Sequence, residues 1–286
     1  MTRHQSALVC ADRTLSFETP ILMGVLNTTP DSFSDGGIVY SDDTLDVDSA
    51  VAAAEAMVAA GAGIIDIGGE STRPGAQPVS PQVELDRVLP VVERLAGSVD
   101  AVISVDTSSP DVMREAAALG AGLLNDVRAL SRSGALQAAR ETGLPVCLMH
   151  MQGSPASMQA APRYGDVVEE VLIFLRQRVV ASEQAGISRD RLLLDPGFGF
   201  GKSVAHNLQL LAGLGRLCDE GMPLLVGLSR KSLIGRLIGR EVDERMPASI
   251  ALALLAAQRG ASILRVHDVA ETADALAMLN ALKHLE

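Results

Sequence analysis

The chain has 286 residues, 48% of them hydrophobic and 2% aromatic, and a formal net charge of −11. That length suits one domain whose core is filled by Ala, Val, Leu and Ile, and the acidic balance argues against nucleic acid or an anionic membrane as the main partner. A small anionic ligand is not excluded, because the local charge of a site can oppose the global charge. No apolar stretch is long enough to cross a bilayer, and the opening MTRHQSALVCADRT lacks the apolar core of a signal peptide, so a cytoplasmic protein is expected. Cys10, Cys147 and Cys218 lie far apart and form no CxxC pair, which reads as isolated thiols in a reducing compartment rather than a disulfide or zinc framework.

In chain order, residues 8–19 (LVCADRTLSFET) predict a small hairpin turning near Asp12 and Arg13. Eight short apolar runs follow, each reaching a polar residue able to bind or do chemistry. They are ILMGVLN to Asn27, GIIDI with Asp66, AVISVD to Asp106, GLLND to Asn125 and Asp126, PVCLMH to His150, RLLLD to Asp195, PLLVGLS to Ser229, and SILRVH to His267. Each is short enough for a buried parallel strand. Between them lie helical patterns. Val47, Val51, Ala54 and Val58 share one face of a helix closed at Gly61, and a second helix after Ser80-Pro81 is expected to bury Leu85, Val88, Leu89, Val92 and Leu95, with a kink at Pro90. Further helices are predicted at about 110–119, 134–142, 165–186, 204–220, 247–259 and 269–284. Eight strand–helix units over residues 1–286 imply a single α/β domain, a (β/α)8 TIM barrel whose N-terminal hairpin plugs the bottom and whose active site lies at the C-terminal ends of the strands.

Two long loops interrupt this rhythm, at residues 28–44 and 68–80, and both should arch over the C-terminal face. Long loops in compact domains usually act as lids or binding elements. The segment GFGFGK resembles a phosphate loop only superficially. Its Gly197, Gly199 and Gly201 recur every second residue and lack the GxxxxGK[ST] spacing, so no nucleotide triphosphate site is assigned.

The motifs MGVLNTTPDSFSDGG, IDIGGESTRPGA, ISVDTSSP, LLNDVRAL, VCLMHMQGSPASMQ, LLLDPGFGFGK, LLVGLSRKSLIG and ILRVHDV, in that order over nearly the whole chain, resemble the dihydropteroate synthase family of pterin-binding enzymes. The resemblance implies condensation of p-aminobenzoate with 6-hydroxymethyl-7,8-dihydropterin pyrophosphate, giving 7,8-dihydropteroate and pyrophosphate with Mg2+ required. It also implies sulfonamides as competing inhibitors and a homodimer. The residue chemistry fits. Asp195 suits the paired donors of a pterin edge, Asn125 can donate and accept, Lys231 can donate to the pterin carbonyl and ring nitrogen, and by family analogy Asp106 faces the pterin, where its charge stabilises a departing methylene cation. Arg265 and His267 alternate on the last strand and so point to the same side. With Asn27 on the adjoining first strand, and with Arg73, they make a pyrophosphate site, and Asn27 is the single protein contact expected for Mg2+. Asp106, Lys231, Arg265 and His267 are the catalytic candidates. For p-aminobenzoate, N–H groups near Ser232 hold the carboxylate, with Phe33, Thr72, Arg73, Pro74 and Phe200 as walls. His150 is read as structural. Two alternatives remain open at this point: a folate-binding methyltransferase domain serving a corrinoid protein, and a noncatalytic pterin-binding paralogue.

Overall fold

Strand and helix boundaries follow the sequence punctuation closely in the computed structural model, which describes residues 5–30, 40–41, 44–72, 76–77, 79–153, 158–159 and 161–283. In chain order the elements are β1 (Ala7–Cys10), β2 (Arg13–Ser16), β3 (Ile21–Asn27), β4 (Tyr40–Ser41), β5 (Thr44–Leu45), α1 (Val47–Ala59), β6 (Ala62–Gly68), α2 (Pro81–Leu95), β7 (Val102–Asp106), α3 (Pro110–Ala118) and β8 (Leu123–Asp126). They continue as α4 (Ala135–Thr142), β9 (Val146–Met149), α5 (Val167–Gln184), β10 (Leu192–Asp195), α6 (Val204–Ala212), α7 (Leu214–Cys218), β11 (Leu225–Val226), α8 (Ser232–Ile238), α9 (Met246–Gln258), β12 (Ile263–Val266) and α10 (Val269–Lys283). Capping follows local chemistry: the Asp46 carboxylate accepts from Ser49 N before α1, and Asp166 accepts from Val168 N and Glu169 N before α5.

The eight-stranded sheet runs β10-β9-β8-β7-β6-β3-β12-β11, and a parallel bridge between Leu194 and Leu224 joins its ends, so the strands form a nearly closed barrel inside a ring of helices. One apolar cluster lies between strands and helices, with Ile65, Ile67, Val105, Leu124, Leu148 and Leu194 facing outward into it. A second fills the lower barrel interior with Met23, Ile64, Val102, Leu123, Cys147, Leu193, Leu225 and Ile263, and the hairpin β1–β2 closes it from below through Leu8, Cys10 and Leu15. The expected plug is therefore present.

Several local expectations need correction. The hairpin turns at Ala11-Asp12, with Arg13 already in β2. Helix α1 is capped at Ala60, one residue before Gly61. Helix α2 contains Pro90 as expected, but it buries Glu84, Val88, Val91, Val92 and Leu95, whereas Leu85 and Leu89 are half-buried. The expected helix over 204–220 is split into α6 and α7 at Gly213, because a side chain there would press within 2.8 Å of Val168 Cγ2 on α5 and glycine is a poor helix former.

Candidate active site

The period-two geometry of a strand decides what enters the barrel. Counting up two residues from the apolar cluster, the same inward parity carries Asp66, Ser104, Asn125, Asp195 and Arg265, and two residues further it carries Asn27, Asp106, Ser229 and His267. Above the apolar floor opens a cavity of about 620 Å³. Ten residues singled out from sequence line it together: Asn27, Thr72, Asp106, Asn125, Asp195, Phe200, Lys231, Ser232, Arg265 and His267. Phe33, Arg73 and Pro74 lie outside the described residues. Arg230, Arg236 and Arg245 join Lys231 and Arg265 in the lining, against Glu70, Asp106 and Asp195, so the local balance is positive in a chain of net charge −11.

At the cavity floor Asp66 is the hub, a polar strand residue to which sequence alone assigns no substrate role. Its Oδ1 accepts from Ser104 Oγ at 2.6 Å, and its Oδ2 accepts from Asn125 Nδ2 at 3.0 Å and Arg265 Nε at 2.7 Å. Arg265 Nη2 reaches Asp106 Oδ2 at 3.3 Å. One Asn125 N–H is thus spent on Asp66. Burial and the neighbouring Asp66 carboxylate raise Asp106 well above the ordinary carboxylate range, and Arg265 offsets only part of this. Asp195 is also raised by burial, while its Oδ1 accepts from Gly197 N at 2.7 Å. Burial lowers Lys231 to about 8 although Asp195 opposes the shift. The Lys231 ammonium donates to Phe198 O at 2.5 Å and sits 4.3 Å from the centroid of the Phe200 ring.

At the end of β12, His267 Nδ1 lies 3.0 Å from Ser229 Oγ, which also accepts from His267 N at 3.2 Å. Asn27 ends β3, the strand hydrogen-bonded to β12, so it stands beside the Arg265–His267 pair. Arg230, between Ser229 and Lys231, has φ +54, a conformation costly for a residue with a side chain. It is held there by its ion pair with Asp268, by Arg230 N donating to Ser249 Oγ at 2.9 Å, and by Arg245 Nη1 donating to Arg230 O at 3.1 Å. The strained turn leaves both Ser229 and Lys231 lining the cavity.

A second unforeseen network lies under the loop after β6. Arg128 Nη1 donates to Glu70 Oε2 at 2.9 Å and to Ser108 Oγ at 3.0 Å, while Asp126 accepts from the Ser108 hydroxyl, Arg128 N and Leu130 N. It ties the start of the second long loop, and hence Thr72, to the end of β8. His150 faces away from the cavity lining: it is buried, and burial lowers it to about 3, so it stays neutral.

A barrel with an acid- and cation-lined cavity at the C-terminal ends of its strands defines an enzyme-type (β/α)8 domain with its site on the usual face. Residues 23–267 match the model of the family described as pterin binding enzyme. The dihydropteroate synthase of Escherichia coli K12 is 54% identical over 267 residues, 93% of this chain and 93% of that protein. Among solved structures, the Yersinia pestis dihydropteroate synthase in complex with a sulfonamide drug superposes with a TM-score of 0.94 at 51% identity, covering 97% of this chain and 99% of that one. The Xanthomonas albilineans dihydropteroate synthase with 4-aminobenzoic acid gives 0.90 at 53% identity, covering 98% of each chain. The chain belongs to the pterin-binding enzyme family.

Proposed function

We infer that the chain is a dihydropteroate synthase, a transferase that joins p-aminobenzoate to 6-hydroxymethyl-7,8-dihydropterin pyrophosphate. The observation that carries this reading is the convergence of two chemically distinct groups on one cavity, Asp195, Asn125 and Lys231 for a heterocycle edge and Asn27, Arg265 and His267 for an anion. The similar Yersinia pestis and Xanthomonas albilineans enzymes, which hold a sulfonamide drug and 4-aminobenzoic acid, support the second substrate and the inhibitor class.

In this reading the Asp195 carboxylate accepts the two parallel N–H donors of the pterin edge, and the Asn125 amide, with one N–H committed to Asp66, offers its oxygen to the same heterocycle. Lys231 donates to the pterin carbonyl and ring nitrogen. The amine nitrogen of p-aminobenzoate attacks the methylene carbon, the C–N bond forms as the C–O bond to pyrophosphate breaks, and the amine loses one proton to solvent. An aromatic amine is neutral at pH 7, so no side chain is needed to deprotonate it beforehand. Asp106 stabilises the cation character that develops on the methylene, and Arg265 and His267 hold the leaving pyrophosphate. Thr72 and Phe200 wall the p-aminobenzoate slot, and Ser232, at the start of α8, receives its carboxylate. Arg73 is assigned to both anions, with Phe33 and Pro74 as further walls.

The donor set also fits Mg2+. Asn27 Oδ1 and Asp106 Oδ2 both stand 4.0 Å from the point a Gly68 Cβ would occupy, and no cluster of three His, Cys, Asp or Glu occurs among the described residues. Such a sparse set of hard oxygens suits a cation that keeps its waters and shares phosphate oxygens. Asn27 would hold it. When bound it supplies neutralisation of charge on the leaving pyrophosphate. We further propose a cytoplasmic homodimer; among the described residues no helix is long and apolar enough to cross a membrane.

The test is turnover. Purified protein with both substrates and Mg2+ should release 7,8-dihydropteroate and pyrophosphate in equal amounts. Pterin binding without product would indicate a noncatalytic paralogue, and methyl transfer from a folate to a corrinoid would indicate the methyltransferase class.

A further inference from the structure

The GFGFGK segment between β10 and α6 lacks the spacing of a nucleotide phosphate loop, yet its backbone is well held. Five successive carbonyls accept side-chain hydrogen bonds, two from Lys202 at the end of the segment and three from elsewhere. Gly197 O and Phe200 O accept from Lys202 Nζ at 2.8 and 3.1 Å, Phe198 O from Lys231 Nζ at 2.5 Å, Gly199 O from Gln159 Nε2 at 2.5 Å, and Gly201 O from Tyr164 Oη at 2.9 Å. Gly197 and Gly201 have φ of +67 and +62, and a Cβ there would lie 1.8 Å from His150 O and 2.6 Å from Gln152 O, so glycine is required for the turn to dock beneath the segment after β9.

Lys202 is the centre of this arrangement. It is 2% exposed, and its third partner is His150 Nδ1 at 2.9 Å, so each ammonium hydrogen has an acceptor. His150 in turn packs edge-on against Phe174, with ring centroids 5.0 Å apart. Lys202 is absent from the cavity lining. The turn it braces carries two groups that hold Lys231 in the cavity, the Phe198 carbonyl and the Phe200 ring.

We propose that Lys202 is a positioning residue for the transferase reaction: by stapling the turn of residues 197–201 to His150 it sets where Phe198 and Phe200 hold the Lys231 ammonium. The proposal rests on the synthase reading. Asn27, Arg265 and His267 stand on other strands, so the pyrophosphate side does not depend on the staple. That asymmetry separates positioning from general stability.

The experiment compares Lys202→Met, His150→Leu and His150→Asn with the wild-type enzyme, by steady-state kinetics and by calorimetry with inorganic pyrophosphate and Mg2+. Lys202→Met should raise KM for the pterin substrate and lower kcat, each by about tenfold, the scale expected for a small misplacement of a substrate-positioning group. Its pyrophosphate affinity should match that of wild type. His150→Leu should show a weaker form of the same defect, and His150→Asn, which restores an acceptor near the Nδ1 position, should recover wild-type constants. The His150 pair decides the matter if Lys202→Met does not fold. Unchanged constants in Lys202→Met, a parallel loss of pyrophosphate binding, or equal defects in the two His150 variants would overturn the proposal. A wild-type protein that makes no product would instead overturn the synthase reading, and the proposal with it.

Discussion

The lower and upper halves of the barrel interior are built on the same strands with the same inward parity, yet they are chemically opposite. Below, Met23, Ile64, Val102, Leu123, Cys147, Leu193, Leu225 and Ile263 close against the hairpin in an apolar cluster. Above, Asp66, Ser104, Asn125, Asp195 and Arg265 fill the equivalent inward positions. The apolar half can be sealed because nothing in it needs a partner. The polar half needs internal partners, around Asp66 and in the Gly197 and Phe198 backbone, and burial shifts Asp106, Asp195 and Lys231 toward their neutral forms. Stability is thus concentrated in the floor and chemistry in the layer above it, two residues further along each strand.

The sharpest way to break this division is to exchange a residue in each half. Arg265→Met removes the cation shared by Asp66 and Asp106, and kcat/KM should fall by about a thousandfold, the scale of losing a preorganised charged contact to a leaving group. A fall of less than tenfold would remove Arg265 from the chemistry. In the floor, Leu193→Ala should cost about 3 kcal/mol in urea unfolding, as expected for a buried leucine leaving a cavity, with kcat unchanged at a temperature where the variant is folded. A large loss of kcat there would show that the halves are not separable.

A smaller effect concerns pH. Lys231 is lowered to about 8, chiefly by burial, and its working form is the charged donor. The charged form prevails below that value and is lost above it, while Asp106, raised to about 8, gains its working carboxylate form as pH rises, so kcat/KM for the pterin substrate should pass through a maximum near pH 8 and fall on both sides. Lys231→Arg, whose cation persists at every accessible pH, should lack this alkaline limb even if its plateau is lower. Persistence of the limb in that variant would assign it to another group.

Much of the division is legible in sequence, because strand alternation is strict. A run such as AVISVD or SILRVH shows both the apolar floor residue and the polar group above it. The same-side pairing of Arg265 with His267 follows from this, whereas the grouping of Asn125, Asp195 and Lys231 rests on the C-terminal face of the barrel and on the family resemblance. Asp66 is visible as a polar strand residue, but its role as a hub for Ser104, Asn125 and Arg265 is not, because three separate strands supply those partners. Ser229 was visible as a strand stop, but its contact with His267 was not. The Glu70–Arg128 pair and the Lys202–His150 pair join residues 58 and 52 positions apart, and no local periodicity encodes such a meeting. The split of the 204–220 helix depended on how closely α5 approaches Gly213, which is again a tertiary fact.

The central claim is that the upper half is divided between a pterin side and an anion side, and calorimetry on two variants tests it most directly. The ligands are 6-hydroxymethylpterin, which lacks phosphate, and inorganic pyrophosphate with Mg2+. Asp195→Asn replaces one acceptor by a donor facing the pterin's own donors and should weaken the pterin by about 30-fold, near 2 kcal/mol, with pyrophosphate binding unchanged. Arg265→Met should do the reverse, weakening pyrophosphate while leaving the pterin largely unaffected. If either variant weakens both ligands to the same extent, the two sides are not independent and the division of the cavity is wrong.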